Sequence, residues 1–123
     1  METRITAQVG VVRTPNRVGG CQAQVDRTVL AWDRNTQHVL EVGAGESAAV
    51  NAGSISSLRF VYVEAAGRLL VRTTAADGDP IAVAPPETGA PGLFMLVGEA
   101  AGLWLENEGS APVTAIIVLA GME

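Results

Sequence analysis

The strongest constraint on this chain is the repeated alternation of apolar and polar residues in short segments separated by turns. Near the amino end, for example, Ile5, Ala7, Val9 and Val11 share one parity. Alternation with a period of two is typical of a β-strand with one buried face, and almost no helical periodicity competes with it. Turns that contain Gly or Pro, such as residues 77–80, separate the segments. The pattern therefore predicts an all-β chain.

The number and spacing of these segments predict the architecture. Eight or nine short antiparallel strands are typical of a single β-sandwich with a jelly-roll-like arrangement, and a barrel is the alternative. A chain of 123 residues is long enough to build one such core without metals or disulfides. We expect the sandwich to span residues 21–123, with residues 38–42 returning as a hairpin beside residues 21–32. Residues 1–20 are expected to form an N-terminal arm or an edge strand.

Residues 58–65 are the clearest single strand in the sequence, and we expect them to contribute to the sandwich core together with residues 93–97. Successive side chains of a strand point to opposite faces. The two faces are expected to carry Leu58, Phe60 and Tyr62 on one side and Arg59, Val61 and Val63 on the other.

Two segments near the carboxyl end are apolar at every position. Residues 93–97 and 115–119 contain no polar side chain, whereas a solvated sandwich shows polar residues at alternate positions. Their outward side chains need a cover, either a loop such as residues 85–92 or a neighbouring subunit, because large exposed apolar patches normally mark interaction sites. We therefore expect a homo-oligomer with closed symmetry, of which a trimer is one form. The residues expected at its interface are Ile116, Val118, Phe94, Leu96, Arg13 and Arg17.

Charge is distributed unevenly along the chain. The net charge is −5, and recognition of nucleic acid normally needs a basic face, so no nucleic-acid partner is expected. All eight basic residues are arginines that precede Thr73, whereas seven acids and no base occur from Asp77 onward. This division suits either electrostatic complementarity between neighbouring subunits or ordinary solvated faces, whose exposed ion pairs contribute little.

Neither a membrane partner nor export is expected. No apolar run approaches the roughly 20 residues that a membrane-spanning helix requires. Residues 1–4 also lack the apolar stretch of a secretory signal.

The single cysteine, Cys21, excludes an internal disulfide and every zinc site built on paired cysteines. With His38, the only histidine, it forms a conceivable nucleophile–base pair. However, no activating motif surrounds Cys21, and a small buried thiol is the competing interpretation. Metal-dependent cupins usually draw on several histidines. We therefore expect neither an enzyme nor a bound cofactor or metal.

Two pairs of acidic residues lie close together in the sequence. Asp77 and Asp79 flank a glycine, as in some calcium loops, but no further ligands follow at loop spacing, and Asp-Gly is also common hairpin-turn chemistry. Glu106 and Glu108 would share one face of a strand, as glycosidase acids do. Solvated acids are also common at a strand end, so neither pair is expected to be a metal or catalytic site.

The aromatic residues Trp32, Trp104 and Tyr62 are of the type that stacks against a sugar or a base. Carbohydrate grooves usually carry several exposed aromatic residues. The chain has two Trp, one Tyr and two Phe, so few remain for a groove once the core is filled. Tryptophan is more often partly buried with its N–H satisfied. A lectin-like ligand-binding sandwich, with Trp32 or Trp104 in the groove, is the alternative function.

Four segments carry a resemblance to a known group of proteins: residues 57–64, 67–72, 92–97 and 105–113. The first has the form L-x-F-x-Y-x-E ahead of a hairpin, and the last contains N-x-G-x-x-x-V ahead of a terminal apolar strand. In these features the chain resembles small virion proteins of tailed bacteriophages.

The resemblance implies a β-sandwich with a structural role in a capsid, collar or tail, and it supplies no catalytic residues. It implies further copies of the chain and the major capsid protein or other virion proteins as partners. It also implies a location in the virion, which assembles in the host cytoplasm. An arm formed by residues 1–20 would then add a strand to a neighbouring subunit.

Overall fold

The computed structural model describes the backbone of residues 3–12, 21–32 and 34–123, and the side chains of residues 34–123. These ranges contain β-strands and no helix, so the prediction of an all-β chain is confirmed. In particular, they hold no helix of the length and apolar character needed to cross a bilayer. In chain order the strands are β1 (Thr3–Val12), β2 (Cys21–Trp32), β3 (Arg34–Val42), β4 (Ser47–Ala49), β5 (Ser57–Ala65), β6 (Leu69–Arg72), β7 (Ile81–Val83), β8 (Gly92–Ala100), β9 (Trp104–Glu106) and β10 (Val113–Met122).

Eight of these strands form two four-stranded antiparallel sheets. The first sheet has the order β3-β10-β5-β8, and the second has the order β4-β9-β6-β7. The predicted β-sandwich is therefore confirmed for the described part of the chain. Most successive strands of these eight lie in opposite sheets, and the jelly-roll-like arrangement stays a prediction.

The hydrophobic core lies between the two sheets. Val61 and Val63 of β5, Ile117 and Leu119 of β10, and Leu105 of β9 have no measurable exposed surface and belong to one buried cluster. Burying one such side chain contributes about 1.5–3 kcal/mol. The core thus depends on the central strands β5 and β10, where alternate residues are almost all apolar.

The predicted division of faces in β5 is wrong at its first residue. Leu58 lies on the core side with Val61 and Val63, whereas Phe60 and Tyr62 belong to a second cluster on the opposite side of the sheet. Against β10, Leu58 and Phe60 lie opposite the successive residues 121 and 120, so β5 holds one extra residue at this point. This irregularity is a β-bulge, in which one extra residue changes the phase of the alternation.

The hairpin predicted between residues 21–32 and 38–42 does not form in the described ranges. Instead, β2 pairs with β1 from residue 21 to residue 32, and β3 pairs with β10 along its whole length. The β1–β2 pair makes a two-stranded sheet of its own. The boundary between an arm or edge strand at residues 1–20 and a sandwich from residue 21 stays a prediction.

Candidate interaction surface

The first sheet has one side against the core and one side that points away from it, which we call the outer face. Alternate residues of β3, β10, β5 and β8 build this face, and their antiparallel register fixes which of them are neighbours. The apolar residues of the outer face are Val39, Phe60, Tyr62, Leu93, Met95, Val97, Ile116, Val118 and Ala120.

The register arranges these residues in three rows across the sheet. In the first row, Ile116 of β10 lies between Val39 of β3 and Glu64 of β5. Glu64 in turn lies opposite Leu93 of β8. Directly paired residues have Cβ atoms about 4.5–5.5 Å apart, so each row is a continuous surface. The next two rows are Val118–Tyr62–Met95 and Ala120–Phe60–Val97. In the last of these rows Ala120 and Phe60 are already buried within the protomer.

Much of this apolar surface is exposed. The exposed fractions are 76% for Val39, 62% for Leu93, 50% for Val97, 49% for Met95 and 44% for Ile116. Among residues 34–123, these five are the majority of the seven large hydrophobic residues that are exposed. A contiguous apolar patch of this kind on a monomer normally marks an interaction site. The outer face is therefore the candidate functional surface.

The structure brings two of the expected interface residues together on the outer face. Ile116 is exposed and Val118 is half-buried, and they are alternate residues of the central strand β10. Arg13 and Arg17, which the sequence also nominated, lie outside the described residues.

The structure places the other two candidates, Phe94 and Leu96, on the opposite side of β8. Both pack against the core cluster, and the odd-numbered residues 93–97 point outward in their place. An all-apolar segment gives no parity signal, so the sequence could not show which of its residues point outward. The exposed Glu99 has the same parity as the outward residues. A charged residue is expected to face solvent, so its position in the sequence indicates which residues of β8 point outward.

Glu64 and Tyr62 form the polar centre of the outer face. The Tyr62 hydroxyl donates a hydrogen bond of 3.0 Å to Oε2 of Glu64. Burial raises the pKa of Tyr62, and the hydrogen bond to Glu64 and the charge of that carboxylate raise it further. The hydroxyl therefore stays protonated over the physiological pH range and remains a donor to Glu64.

Four ion pairs join the basic and the acidic parts of the chain among the described side chains. Each arginine whose side chain is described pairs with an acid from the carboxyl-terminal segment, so at these positions the two groups of charges meet in one protomer. Glu106 and Glu108, the pair compared with glycosidase acids, each bind an arginine. The pairs are Arg34–Glu123, Arg59–Glu99 at 3.5 Å, Arg68–Glu108 at 3.0 Å and Arg72–Glu106 at 2.7 Å.

Asn107 has a structural role in the turn between β9 and β10. Its side chain is buried, with 1% exposed. Nδ2 donates to the carbonyl oxygens of Val42 at 3.0 Å and Ala111 at 2.8 Å, and Oδ1 accepts from the amide of Gly109 at 2.9 Å. Its backbone N–H donates to the carbonyl of Glu46. One side chain thus joins the β9–β10 turn to the end of β3.

The other chemical candidates are not assembled into a reactive group in the part of the chain that is described. His38 lies 3.2 Å from the Thr36 hydroxyl through Nε2, and the side chain of Cys21 lies outside the described residues. No cluster of three or more His, Cys, Asp and Glu side chains suitable for a metal occurs among the described residues. The turn at 77–79 is held by Arg72, whose Nε donates to the Gly78 carbonyl at 2.8 Å.

Trp104 lies on the outer side of the second sheet, away from Tyr62. Its cross-strand neighbours are Ala49 and Arg72, and together with Glu106 they line a shallow depression. The Trp104 ring passes close to Gly102, where an added Cβ would lie 2.9 Å from the ring. Trp32 falls outside the described side chains. The two described aromatic candidates, Trp104 and Tyr62, therefore do not share a groove.

The chain matches no known family model, and neither a curated protein nor a solved structure is significantly similar to it.

Proposed function

We propose that this protein is a non-enzymatic structural component of a bacteriophage virion, either a capsid decoration or cement protein or a part of the collar or tail. It acts by binding copies of itself and the major capsid protein or other virion proteins. It is assembled into the particle in the host cytoplasm. The single observation that carries the proposal is the exposed apolar outer face of the first sheet.

Two of the four segments that resemble phage virion proteins supply strands of this face. Residues 57–64 belong to β5 and residues 92–97 to β8, and these strands pair side by side. Residues 105–113 lead through the Asn107 turn into β10, the remaining central strand. Residues 67–72 contain β6 and residues 105–106 belong to β9, so the resemblance also extends over the second sheet.

The energy available on the outer face is suited to assembly. The exposed fractions of its five exposed apolar residues together amount to nearly three complete side chains. At about 1.5–3 kcal/mol for each complete side chain, a partner that covers them gains about 4–8 kcal/mol, and its own apolar contacts add to this. Association costs about 4–15 kcal/mol. The gain from this face alone reaches only the lower part of that cost, so stable binding requires a partner that covers the whole face and adds apolar contacts of its own.

The proposal is tested on the particles of the phage that encodes the chain. Purified virions, dissociated and analysed by quantitative mass spectrometry, should contain this chain in a fixed ratio to the major capsid protein. The ratio distinguishes a decoration protein, present in hundreds of copies, from a collar or tail component present in a few rings. Virions in which the capsid protein is abundant and this chain is absent would refute the proposal.

A lectin-like function is the second candidate, and the position of Trp104 is the observation that favours it. The half-buried ring lies beside the Arg72–Glu106 ion pair, a combination of stacking surface and hydrogen-bonding groups that suits a sugar. In a Trp32→Phe background, the fluorescence of Trp104 should shift on addition of a bound glycan. An unchanged spectrum across a broad glycan panel removes this candidate.

A further inference from the structure

The outer face is the one extensive apolar surface of the described side chains. Within residues 34–123, the two large exposed hydrophobic residues outside the three rows are Ile81, on β7 of the other sheet, and Met122, at the end of β10. A head-to-tail contact needs two different complementary surfaces on each copy, whereas a two-fold contact needs a single surface that fits itself. The second apolar surface that a head-to-tail ring requires is missing from this part of the chain.

We infer that two copies of the protein pack outer face against outer face around a two-fold axis. This inference deepens the self-association part of the proposed function and rests on it, and it names the surface, the partner and the symmetry. Sheets that pack face to face lie about 10 Å apart, with their side chains interdigitated between them. Covering both outer faces in this way also encloses the half-buried Val118 and Tyr62.

The size of the surface fits such a dimer. Aromatic side chains bury roughly 150–250 Å² each, and we take the lower part of this range, roughly 150–200 Å², for a large aliphatic side chain. The nearly three side-chain equivalents exposed by the five apolar residues then provide roughly 400–550 Å² on each copy. Specific interfaces bury about 800 Å² on each partner, and somewhat over half of that area is apolar. The apolar part of a standard interface is therefore present.

Glu64 sets the strength of this contact. It is the ionisable acid within the three rows, between Ile116 and Leu93, and its hydrogen bond comes from the Tyr62 hydroxyl. Packing a second copy on the face removes water from this carboxylate, which opposes association because an ionised group loses hydration on burial. Neutralising Glu64 should therefore strengthen the dimer, which a contact elsewhere on the molecule would not do.

The experiment is sedimentation velocity and equilibrium of the purified full-length chain over a range of micromolar concentrations. The expected result is a reversible dimer of twice the 12.7 kDa protomer mass. Glu64→Gln should lower the dimer dissociation constant by about tenfold or more, since a buried ionised group is costly. The charge-matched control is Glu46→Gln, an exposed position ahead of β4, and it should leave the constant within about twofold of wild type.

A second pair of variants tests the surface by disruption. Met95→Glu on the outer face should abolish the dimer, whereas Ile81→Glu on the other sheet introduces the same charge at a residue of similar exposure and should leave it intact. Circular dichroism of each monomer establishes that the fold is retained. Three results would overturn the inference. They are a monomer at all concentrations, a trimer, or a dimer whose dissociation constant is changed by neither Glu64→Gln nor Met95→Glu. The virion test is independent of these measurements. If the protein forms this dimer but is absent from virions, the proposed function alone is overturned. If the protein is present in virions but does not form this dimer, the inference alone is overturned.

Discussion

Replacing Asn107 by alanine removes three hydrogen bonds from one buried side chain. The Val42 and Ala111 carbonyls lose their shared donor and the Gly109 amide loses its acceptor. A hydrogen bond contributes about 0.5–1.5 kcal/mol net, and a buried group left without a partner costs more. Because the Val42 contact is buried, we expect Asn107→Ala to lower the free energy of unfolding by about 3 kcal/mol.

Asn51 provides a matched control for this change. It precedes Gly53 by two residues, as Asn107 precedes Gly109, and its Oδ1 accepts a hydrogen bond of 2.8 Å from the Gly53 amide. That contact is exposed, so water can replace the lost acceptor. Asn51→Ala should therefore cost less than about 1 kcal/mol.

Urea unfolding followed by tryptophan fluorescence, at one fixed protein concentration, measures both variants. With a slope of about 1–3 kcal/mol per molar urea, the loss expected for Asn107→Ala moves the midpoint down by about 1–3 M. Equal, small losses in Asn107→Ala and Asn51→Ala would show that the buried network of Asn107 does not hold the turn to β3.

Three further predictions test the packing and the polar centre of the outer face. Gly121→Ala places a Cβ onto the carbonyl oxygen of Ser57, so thermal unfolding should show a loss of about 2 kcal/mol or more, because backbone there has to move. Leu105→Ala, at a fully buried position, should cost about 2–5 kcal/mol in the same assay, and a loss below 1 kcal/mol would contradict the position of the core. Tyr62 is the only tyrosine, so its absorbance titration is unambiguous: the midpoint should lie above the ordinary pKa near 10, and Glu64→Gln should lower it. Since the pKa is raised on folding, the protonated hydroxyl stabilises the fold below the ordinary pKa, and this stability is lost as pH rises through the folded-state value.

The strands could be predicted from the sequence because alternation is a local property of each segment. Their pairing could not, because it joins residues far apart in the chain. The sequence places residues 38–42 next to residues 21–32, but β3 pairs with β10, more than 70 residues further on. A constant period of two predicts the wrong face for Leu58, because a bulge in β5 against β10 shifts the phase of the alternation. No residue type in this segment indicates the bulge.

The candidate surface was predictable in part for the same reason. Two all-apolar segments indicate that something must cover one side of β8 and β10, and the exposed outer face agrees with that. Which side of β8 is outward could not be deduced from residues 93–97 alone. Phe94 and Leu96, predicted at an interface, pack against the core cluster, and the odd-numbered residues of this segment point outward. The ion pairs could not be predicted from the sequence either, because Arg72 and Glu106 become neighbours only when β6 and β9 pair.

The position of β10 in the first sheet has a consequence for the order in which the fold can form. This strand lies between β3 and β5, so neither can acquire its central hydrogen-bonding partner until residues 113–122 have left the ribosome. Until then β3 and one edge of β5 lack a partner strand, and open strand edges are templates for pairing with other chains. Contacts of such long sequence separation also slow folding. A nascent chain of this protein therefore cannot complete its sheet gradually during synthesis, and it closes in one late step when the middle strand arrives.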